Sequence, residues 1–554
     1  MIQSDTQGAD IMTKLRNLIL PAVMAVIISG CSDTDVLPDQ GDLRTAPVIT
    51  ETEQDISTDT AAPRDIPLIS ITTENQSKKV MDFVTKPVNG YVAKSIASWT
   101  PGYKMPPEPY YEPCTVTLTD TDGTVSVNAA ADVKVRGNWT TNYSKKPLRI
   151  KFSEKQTMLG LNDGAKMKNW VLLAEYKDTS MLRNKTALAV SREILGADGL
   201  YAADSALVEV EINGEYWGVY LLTEQQEANP GRVSICEPEK DYEAADIGYF
   251  MEFDGYFFNE DDLHQFHIDY ADNAPLVPFD GNGGSGRTMS PLNTGRGDRK
   301  QDVGITIKSD IYSEYQRDFI ASYLNNVYRI MYEAAYNDKA YKFHFEYPEL
   351  EDSDSTPQHA VEIVVDVDSL ADMYIISELT CDADIYWSSF FMDINMGRGG
   401  SELRDDVHET GRLTFEAPWD FDSAMGNKDR CADGQGFYAA NIVYDVNDQY
   451  ETINPWLAVL MYEDWFQDII REKWTAAYDS GVFDRAYEMI ESDTAQYHDA
   501  FERNYQKWDN LLHNEAANEW SKRSAQCKTH EESAAYLEEW LRTRVEFLND
   551  NWHK

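Results

Sequence analysis

The chain has 554 residues and a formal net charge of −46 at pH 7. Its content of 42% hydrophobic and 12% aromatic residues is enough to bury a sizeable core, and its length suggests roughly two to four domains. The charge excludes nucleic-acid binding through phosphates, because no basic surplus is present. Such acidity suits a secreted protein, or one whose partners are basic.

The N-terminus has the features of a bacterial export signal. Lys14 and Arg16 precede an apolar run over residues 18–28, which is too short to span a bilayer but has the size of a signal-peptide core. The run ends in Ser29-Gly30-Cys31. Small residues before a cysteine are typical of a lipoprotein cleavage site, so we predict that Cys31 is lipidated. The alternative is a stray cysteine after an ordinary cleaved signal.

This interpretation defines the first two segments of the chain. Residues 1–31 are the predicted lipoprotein signal peptide, which could also begin at Met12. Residues 32–65 are rich in Asp, Thr, Pro and Gln, so they cannot bury a core and are expected to form a disordered tether. The mature chain would be anchored to a bacterial membrane on its extracytoplasmic side. The five remaining cysteines have no metal-site spacing, and we predict no disulfide.

From residue 66 the pattern predicts short strands separated by turns. The clearest feature is a hairpin, because Asn213-Gly214 tolerates the left-handed backbone of a two-residue turn between two apolar runs. Helical spacing over residues 179–195 predicts a helix that ends at Gly196. The predicted strands of this region are 67–71, 114–119, 147–152, 170–174, 208–212, 217–223 and 247–254.

The second half of the chain is mainly helical by its apolar spacing. Residues 255–303 look like a flexible insertion, polar and glycine-rich. Within it, residues 281–288 nearly match a P-loop, but the lysine and the following helix are missing, so we do not assign one. The predicted helices are 315–336, 367–380, 456–474, 483–490, 497–512 and 534–552.

Acidic pairs at a spacing of two residues are the candidate metal ligands. Asp420 and Asp422 follow an apolar run that we interpret as a strand, and residues two apart in a strand project from one face. Two converging carboxylates repel each other unless a cation lies between them, and magnesium carrying phosphates fits that need. The alternative is a pair of solvated loop acids. Glu252 and Asp254 could form a second metal site or pair with a lysine.

Several motifs together resemble one known family. The motifs are RGNWT, KKPLRIKF, LLAEYKDTSMLRNK, VEVEINGEYWGVYLLTEQ, GYFMEFD and APWDFDSAMG. In this order and spacing, from residue 66 to the C-terminus, the chain resembles the spore-coat protein H (CotH) kinase family. The resemblance implies an atypical, two-lobed protein-kinase-like fold. It also implies transfer of the terminal phosphoryl group of ATP, with Mg²⁺, to serine or threonine of a protein substrate.

The resemblance also implies roles for individual residues. Asp420 and Asp422 would hold the metal, and Asp384 would be the catalytic base or a further metal ligand. Asp382 stands where the family usually has asparagine, which adds a charge. Nucleotide binding would involve the phosphate-binding residues Lys151 and Arg136, the hinge residue Glu224, and Trp419, which either stacks on adenine or fills the core.

The prediction is therefore an α+β kinase-like protein with a sheet-rich N-lobe over residues 66–254 and a mainly helical C-lobe over 304–554. Its cofactors would be ATP and Mg²⁺, and its partners a protein substrate and, through Cys31, a membrane. We expect a monomer. Two alternatives remain. One is a catalytically inactive kinase-like scaffold with a structural or adhesive role, and the other is an acidic calcium-binding module, although no loop has EF-hand spacing.

Overall fold

The computed structural model describes residues 64–76, 80–281, 286–292, 303–397, 411–430, 432–444 and 450–554. The predicted signal peptide, the lipidation residue Cys31 and nearly all of the predicted tether lie outside these residues. So do the central residues of the P-loop-like stretch, 282–285. The described chain is an α+β protein with two large sheets, and helices lie both between the strands of each sheet and after them along the chain.

The first sheet is a closed seven-stranded barrel with the order β1-β2-β3-β4-β5-β7-β6. Neighbouring strands are antiparallel, except that β1 closes the barrel by pairing in parallel with β6. The predicted Asn213-Gly214 turn does connect β6 and β7. The strands are β1 (Leu68–Thr73), β2 (Glu112–Thr119), β3 (Val125–Val135), β4 (Leu148–Gln156), β5 (Met167–Leu173), β6 (Ser205–Ile212) and β7 (Glu215–Glu224).

Strand alternation explains how the barrel encloses its own core. In β4, the side chains of Leu148, Ile150 and Phe152 are buried inside the barrel. The residues between them face outwards, because successive side chains of a strand point to opposite sides. On β5 and β7 the outward residues Val171 and Leu221 pack into a second core. The expected N-lobe sheet is thus a closed barrel that has one outer face covered by the rest of the chain.

The second sheet has the order β14-β13-β8-β10-β9. We expected residues 247–254 to belong with the first sheet, but this strand pairs with β10 and β13 instead. All seven of its residues are buried, as expected for a central strand that is covered on both faces. The strands are β8 (Gly248–Asp254), β9 (Gln265–Phe266), β10 (Gly304–Ile307), β13 (Phe390–Asn395) and β14 (Thr414–Phe415). Two short hairpins are formed by β11 (Tyr341–Phe343) with β12 (Leu350–Asp352) and by β15 (Val443–Tyr444) with β16 (Glu451–Thr452).

All of the predicted helical segments contain helix, but the helices Asp82–Thr85, Gly90–Trp99 and Pro357–Val364 were not predicted. The helix expected over residues 456–474 is two helices, because the backbone of Glu463 is extended and begins the second one. The helices are α1 (Asp82–Thr85), α2 (Gly90–Trp99), α3 (Arg183–Gly196), α4 (Glu314–Asn337), α5 (Pro357–Val364), α6 (Val367–Thr380), α7 (Pro455–Ala458), α8 (Asp464–Asp479), α9 (Val482–Gln496), α10 (His498–Trp508) and α11 (His530–Trp552).

Helix α6 lies at the centre of the second core. Asp366 caps its N-terminus by accepting a hydrogen bond from the Ser369 amide, and nearly all of the helix is buried. A helix that is apolar on all sides belongs in a core, and α6 contacts α3, α8, α11 and β14. Within the part of the chain that the structure describes, no helix combines the length and apolarity needed to cross a bilayer.

Candidate active site

Three aspartates from distant parts of the chain meet in one buried cluster. Asp384, Asp420 and Asp422 each offer a carboxylate oxygen, and these oxygens lie within 4.8 Å of one another. All three residues are buried, with exposed fractions of 0%, 8% and 8%. The structure therefore brings together the three residues that the sequence suggested as metal ligands.

Asp420 and Asp422 converge through an irregular backbone and not through a strand. Strand β14 ends at Phe415, and Ala417 and Asp420 both have left-handed backbone angles, with φ of 62° and 68°. Neighbouring elements fix the segment. The Phe421 amide donates to Asn184 Oδ1 of α3 at 2.8 Å. Asn427 Nδ2 donates to the Asp422 carbonyl at 2.7 Å. Helix α3 therefore determines where both carboxylates lie.

Asp384 is positioned by the turn that follows α6. Helix α6 ends at Thr380, the backbone of its C-cap residue Cys381 is left-handed, and the chain turns back towards β13. The amides of Trp387 and Ser388 donate to the Asp384 carbonyl at 2.7 and 2.8 Å. Asp382 accepts a hydrogen bond from the Asp384 amide at 3.1 Å. A fourth carboxyl group, that of Asp382, lies near the cluster. Burial and the negative charges of Asp384, Asp420 and Asp422 raise the pKa of Asp382 well above its ordinary value.

Lys177 is the lysine that the structure places against the aspartates. Its Nζ lies 2.8 Å from Asp422 Oδ1 and 3.5 Å from Glu519 Oε2, and it also donates to Ser423 Oγ. Burial alone would lower the pKa of Lys177, but Asp422, Glu519 and Asp384 outweigh this effect and raise it. Lys177 is therefore a buried, charged ammonium that neutralises part of the acidic cluster.

The loop that carries Lys177 is rigidly held. Asp178 accepts hydrogen bonds from the amides of Ser180 and Arg183, both at 2.9 Å, and pairs with the Arg183 guanidinium. Glu519, on the far side of Lys177, accepts a hydrogen bond from the Tyr143 hydroxyl at 2.8 Å. The Lys177 ammonium thus connects the barrel side of the molecule, the aspartate segment and the C-terminal region.

A second buried lysine lies in the same neighbourhood. The Nζ atom of Lys428 is buried and makes no hydrogen bond with any described residue. Burial and the positive charge of Lys177 lower its pKa, while Asp384 and Glu519 act in the opposite direction. Little in the sequence indicated this group, because Lys428 lies in a loop without periodicity.

The structure does not bring Lys151 to the aspartates, which corrects its expected place in the site. Lys151 is exposed on the outer face of β4, opposite Asp132 and Asn169. Among the described residues, no hydrogen bond or ion pair joins it to Asp384, Asp420 or Asp422. Its inward neighbours occupy the barrel core, so the alternation of β4 fixes its outward direction.

Arg136 and Trp419 do come together. The Arg136 guanidinium lies over the Trp419 ring, 5.8 Å from its centroid, and both side chains are buried. Arg136 directly follows β3, and Trp419 directly precedes Asp420. This contact places the outer face of β3 beside the aspartate segment.

The side chain of Glu224 has a structural role, and the expected adenine contact of this hinge residue stays a prediction. It is fully buried, and Oε1 accepts hydrogen bonds from Arg232 Nε at 3.1 Å and from Asn162 Nδ2 at 3.0 Å. Its Oε2 accepts a hydrogen bond from the Asp204 amide at 3.0 Å. Both oxygens of the Glu224 carboxylate therefore accept hydrogen bonds from groups of the protein.

Glu252 and Asp254 form a separate, lysine-paired site. Lys308 Nζ lies 2.7 Å from Glu252 Oε2, and the Ser389 amide donates to Oε1 at 2.8 Å. Asp254 accepts hydrogen bonds from the Tyr256 amide at 2.6 Å and from Thr306 Oγ1 at 2.8 Å. Of the two possibilities that the sequence left open, the structure shows the lysine pairing.

The chemistry of the aspartate cluster fits a hard divalent cation. Magnesium and calcium prefer carboxylate oxygens as ligands, and three such oxygens lie close enough together to bind one ion. The buried Asp382 carboxyl has one oxygen, Oδ2, without a hydrogen-bond partner among the described residues. The carboxylates of Asp384, Asp420 and Asp422 are buried close together, and a bound cation would relieve their mutual repulsion. The residues therefore fit a divalent metal ion.

The comparison with protein families agrees with this arrangement. No curated protein matches the chain. A family model described as CotH kinase protein matches residues 133–548, which include every residue of the cluster. A kinase-type enzyme that uses ATP and a divalent metal is what this family suggests. Since the match covers most of the sequence, the chain belongs to the CotH kinase protein family.

Proposed function

We propose that the protein is an ATP-dependent phosphotransferase that phosphorylates serine or threonine of a protein substrate. The observation that carries the proposal is the buried cluster of Asp384, Asp420 and Asp422 beside Lys177. Phosphoryl transfer needs positioning and charge neutralisation more than covalent help from the protein. A set of carboxylates that can hold a metal ion, with cations nearby, supplies both.

Each residue has a distinct role in this proposal. Asp420 and Asp422 would hold Mg²⁺, which neutralises negative charge on the triphosphate when bound. Asp384 would orient the acceptor hydroxyl or remove its proton. Lys177 holds the Asp422 carboxylate in place through its short contact, and Arg136 would contribute positive charge to phosphate binding. Trp419 holds Arg136 against the aspartate segment.

The cellular setting is a further part of the proposal. The sequence pattern around Cys31 supports lipid attachment on the extracytoplasmic side of a bacterial membrane. The substrate would then be a protein exposed on that side, and the acidity of the chain, with a net charge of −46, favours a basic one. A comparison of membrane and soluble fractions for the wild-type protein and Cys31→Ala tests the anchor. Equal release of both from the membrane would contradict it.

Transfer of labelled phosphate from ATP tests the activity. Purified wild-type protein is incubated with Mg²⁺ and ATP labelled at the terminal phosphate, with itself and a casein-like protein as acceptors. We expect Asp422→Asn to keep its fold and to lose about three orders of magnitude in rate, because several kcal/mol of transition-state stabilisation disappear. Near-normal labelling by Asp422→Asn would contradict the proposed role.

Asp429→Asn is the matched control. Asp429 belongs to the same loop but is exposed, and its carboxylate accepts a hydrogen bond from the Lys522 amide, which an asparagine oxygen can also accept. This variant should label like the wild-type protein. Stabilisation by ATP and Mg²⁺ without any transfer would instead support the kinase-like scaffold without catalysis.

A further inference from the structure

One buried arginine of the barrel has two N–H groups that find no hydrogen-bond acceptor among the described residues. Arg149 lies on β4 and is 9% exposed, and its Nε and Nη1 atoms are buried without a hydrogen bond. No ion pair joins Arg149 to any described residue. A guanidinium is charged at every physiological pH and has five N–H donors, so burial without a partner is unfavourable.

Other buried arginines in the described chain are paired. Arg183 pairs with Asp178, Arg232 with Glu224 and Glu227, and Arg544 with Glu378. Each of these three guanidinium groups is thus neutralised by at least one fully buried carboxylate. Arg149 differs from all three, because the fold buries its charge and provides no carboxylate for it.

The position of Arg149 indicates what would compensate its charge. It points outwards from the barrel and lies directly opposite Lys134 of β3. Lys134 and Arg136 lie two residues apart along β3 and its end, so all three cations share one face of the barrel. Arg136 continues this face to Trp419, which precedes the metal-ligand candidate Asp420.

We infer that Arg149 is a phosphate-binding residue, which together with Lys134 and Arg136 forms a cationic face for the triphosphate of the nucleotide. The inference rests on the proposed function and adds to it the residue that takes over the expected role of Lys151. Arginine binds phosphate oxygens through two parallel hydrogen bonds. The phosphate oxygens supply the acceptors that the Nε and Nη1 donors lack in the protein.

The choice of variants separates ligand binding from folding. Arg149→Met removes the charge but keeps the apolar stem, and Arg149→Lys keeps the charge but loses the two-pronged geometry. Lys151→Met is the matched control, because Lys151 lies two residues further along the same face but is exposed. Binding of adenosine, of ATP with Mg²⁺ and of inorganic triphosphate is measured by calorimetry, and unfolding is measured without ligand.

The expected pattern is specific to a phosphate-binding role. Arg149→Met should bind ATP about ten- to a hundredfold more weakly, the range for a lost hydrogen bond to a charged group. It should bind adenosine as the wild-type protein does. Arg149→Lys should lie between the two, and Lys151→Met should match the wild type. Without ligand, Arg149→Met should be at least as stable as the wild type, because a buried unpaired charge is removed.

Several results would overturn the inference. Unchanged ATP affinity of Arg149→Met is one, and a clear loss of its stability without ligand is another, because that loss indicates a structural partner. If the wild type binds inorganic triphosphate through Arg149 but not ATP, Arg149 remains a phosphate-binding residue, while its assignment to a nucleotide and the proposed function both fail. Binding of neither compound overturns both.

Discussion

Replacement of Lys177 by methionine tests the charge balance of the cluster. The Lys177 ammonium is 2% exposed and lies 2.8 Å from Asp422 and 3.5 Å from Glu519. Lys177→Met would leave both carboxylates buried without this cation. Removal of one partner of a buried ion pair typically destabilises a protein by about 3–5 kcal/mol. We expect a loss of that size in the free energy of unfolding without divalent metal.

Urea unfolding at pH 7 with a chelator present measures this loss. The control is Lys86→Met, because Lys86 pairs with Asp82 at 2.6 Å but is 59% exposed in its side chain. An exposed pair contributes at most about 1 kcal/mol, so the control variant should unfold like the wild type. The contrast between the two variants isolates the effect of burial.

Magnesium supplies a second measurement on the same variant. A ligand that binds the folded state stabilises it, and a divalent cation at the cluster can replace part of the charge that Lys177 provided. Magnesium should therefore restore more stability to Lys177→Met than it adds to the wild type. A loss under about 1 kcal/mol would show that the contact is not a strong buried pair. An identical magnesium response in both proteins would show that the ion does not bind at Asp422.

Three further predictions concern the metal, the pH response and the loop after β3. Asp384→Asn should lose the stabilisation by magnesium in a thermal-unfolding assay, because one of three candidate ligands becomes neutral; an unchanged response would place the ion elsewhere. Burial lowers the pKa of His530 in the folded state to about 4. Between this value and the unfolded pKa of about 6.5, the unfolded state therefore binds more protons than the folded state. Stability should then fall by about 3 kcal/mol as the pH drops from about 6.5 to about 4, and His530→Gln should flatten this slope in urea titrations. Gly137 has φ of 93°, and an added Cβ would lie 2.5 Å from Thr140 Oγ1. Gly137→Ala should therefore displace the loop beside Arg136, to which we assign a role in phosphate binding, and raise the KM for ATP. Gly199→Ala, at an open position, should leave the KM unchanged.

Local patterns in the sequence predicted local structure well. The bounds of α6 and the Asn213-Gly214 turn agree with the structure, because both depend on short-range periodicity or on one dipeptide. The meeting of Asp420 with Asp422 was also expected. However, its physical cause is a left-handed, hydrogen-bonded segment, and no strand of alternating residues is involved.

The missed features are those that depend on distant contacts. Lys177 lies in a short loop, and the contacts that define it are with Asp422 and Glu519, hundreds of residues away. Its position between the acids Glu175 and Asp178 was the only local signal. The alternation of side chains in β4 indicates that Lys151 faces outwards from the barrel. It does not indicate which part of the outer barrel surface lies next to the aspartates. The pairing of β1 with β6, which closes the barrel, likewise joins strands far apart in the sequence, so no local pattern indicates it.

The late segment that packs against the Lys177 loop has a consequence for synthesis. Asn510 and Asn514 donate to the Tyr176 carbonyl at 2.9 and 2.7 Å, and Trp520 Nε1 donates to the Lys177 carbonyl at 2.8 Å. None of these bonds can form until the ribosome has released this part of the chain. A nascent protein would therefore hold all three aspartates before the support of Lys177 is complete, and the proposed site could be assembled only after residues 510–520 have been made.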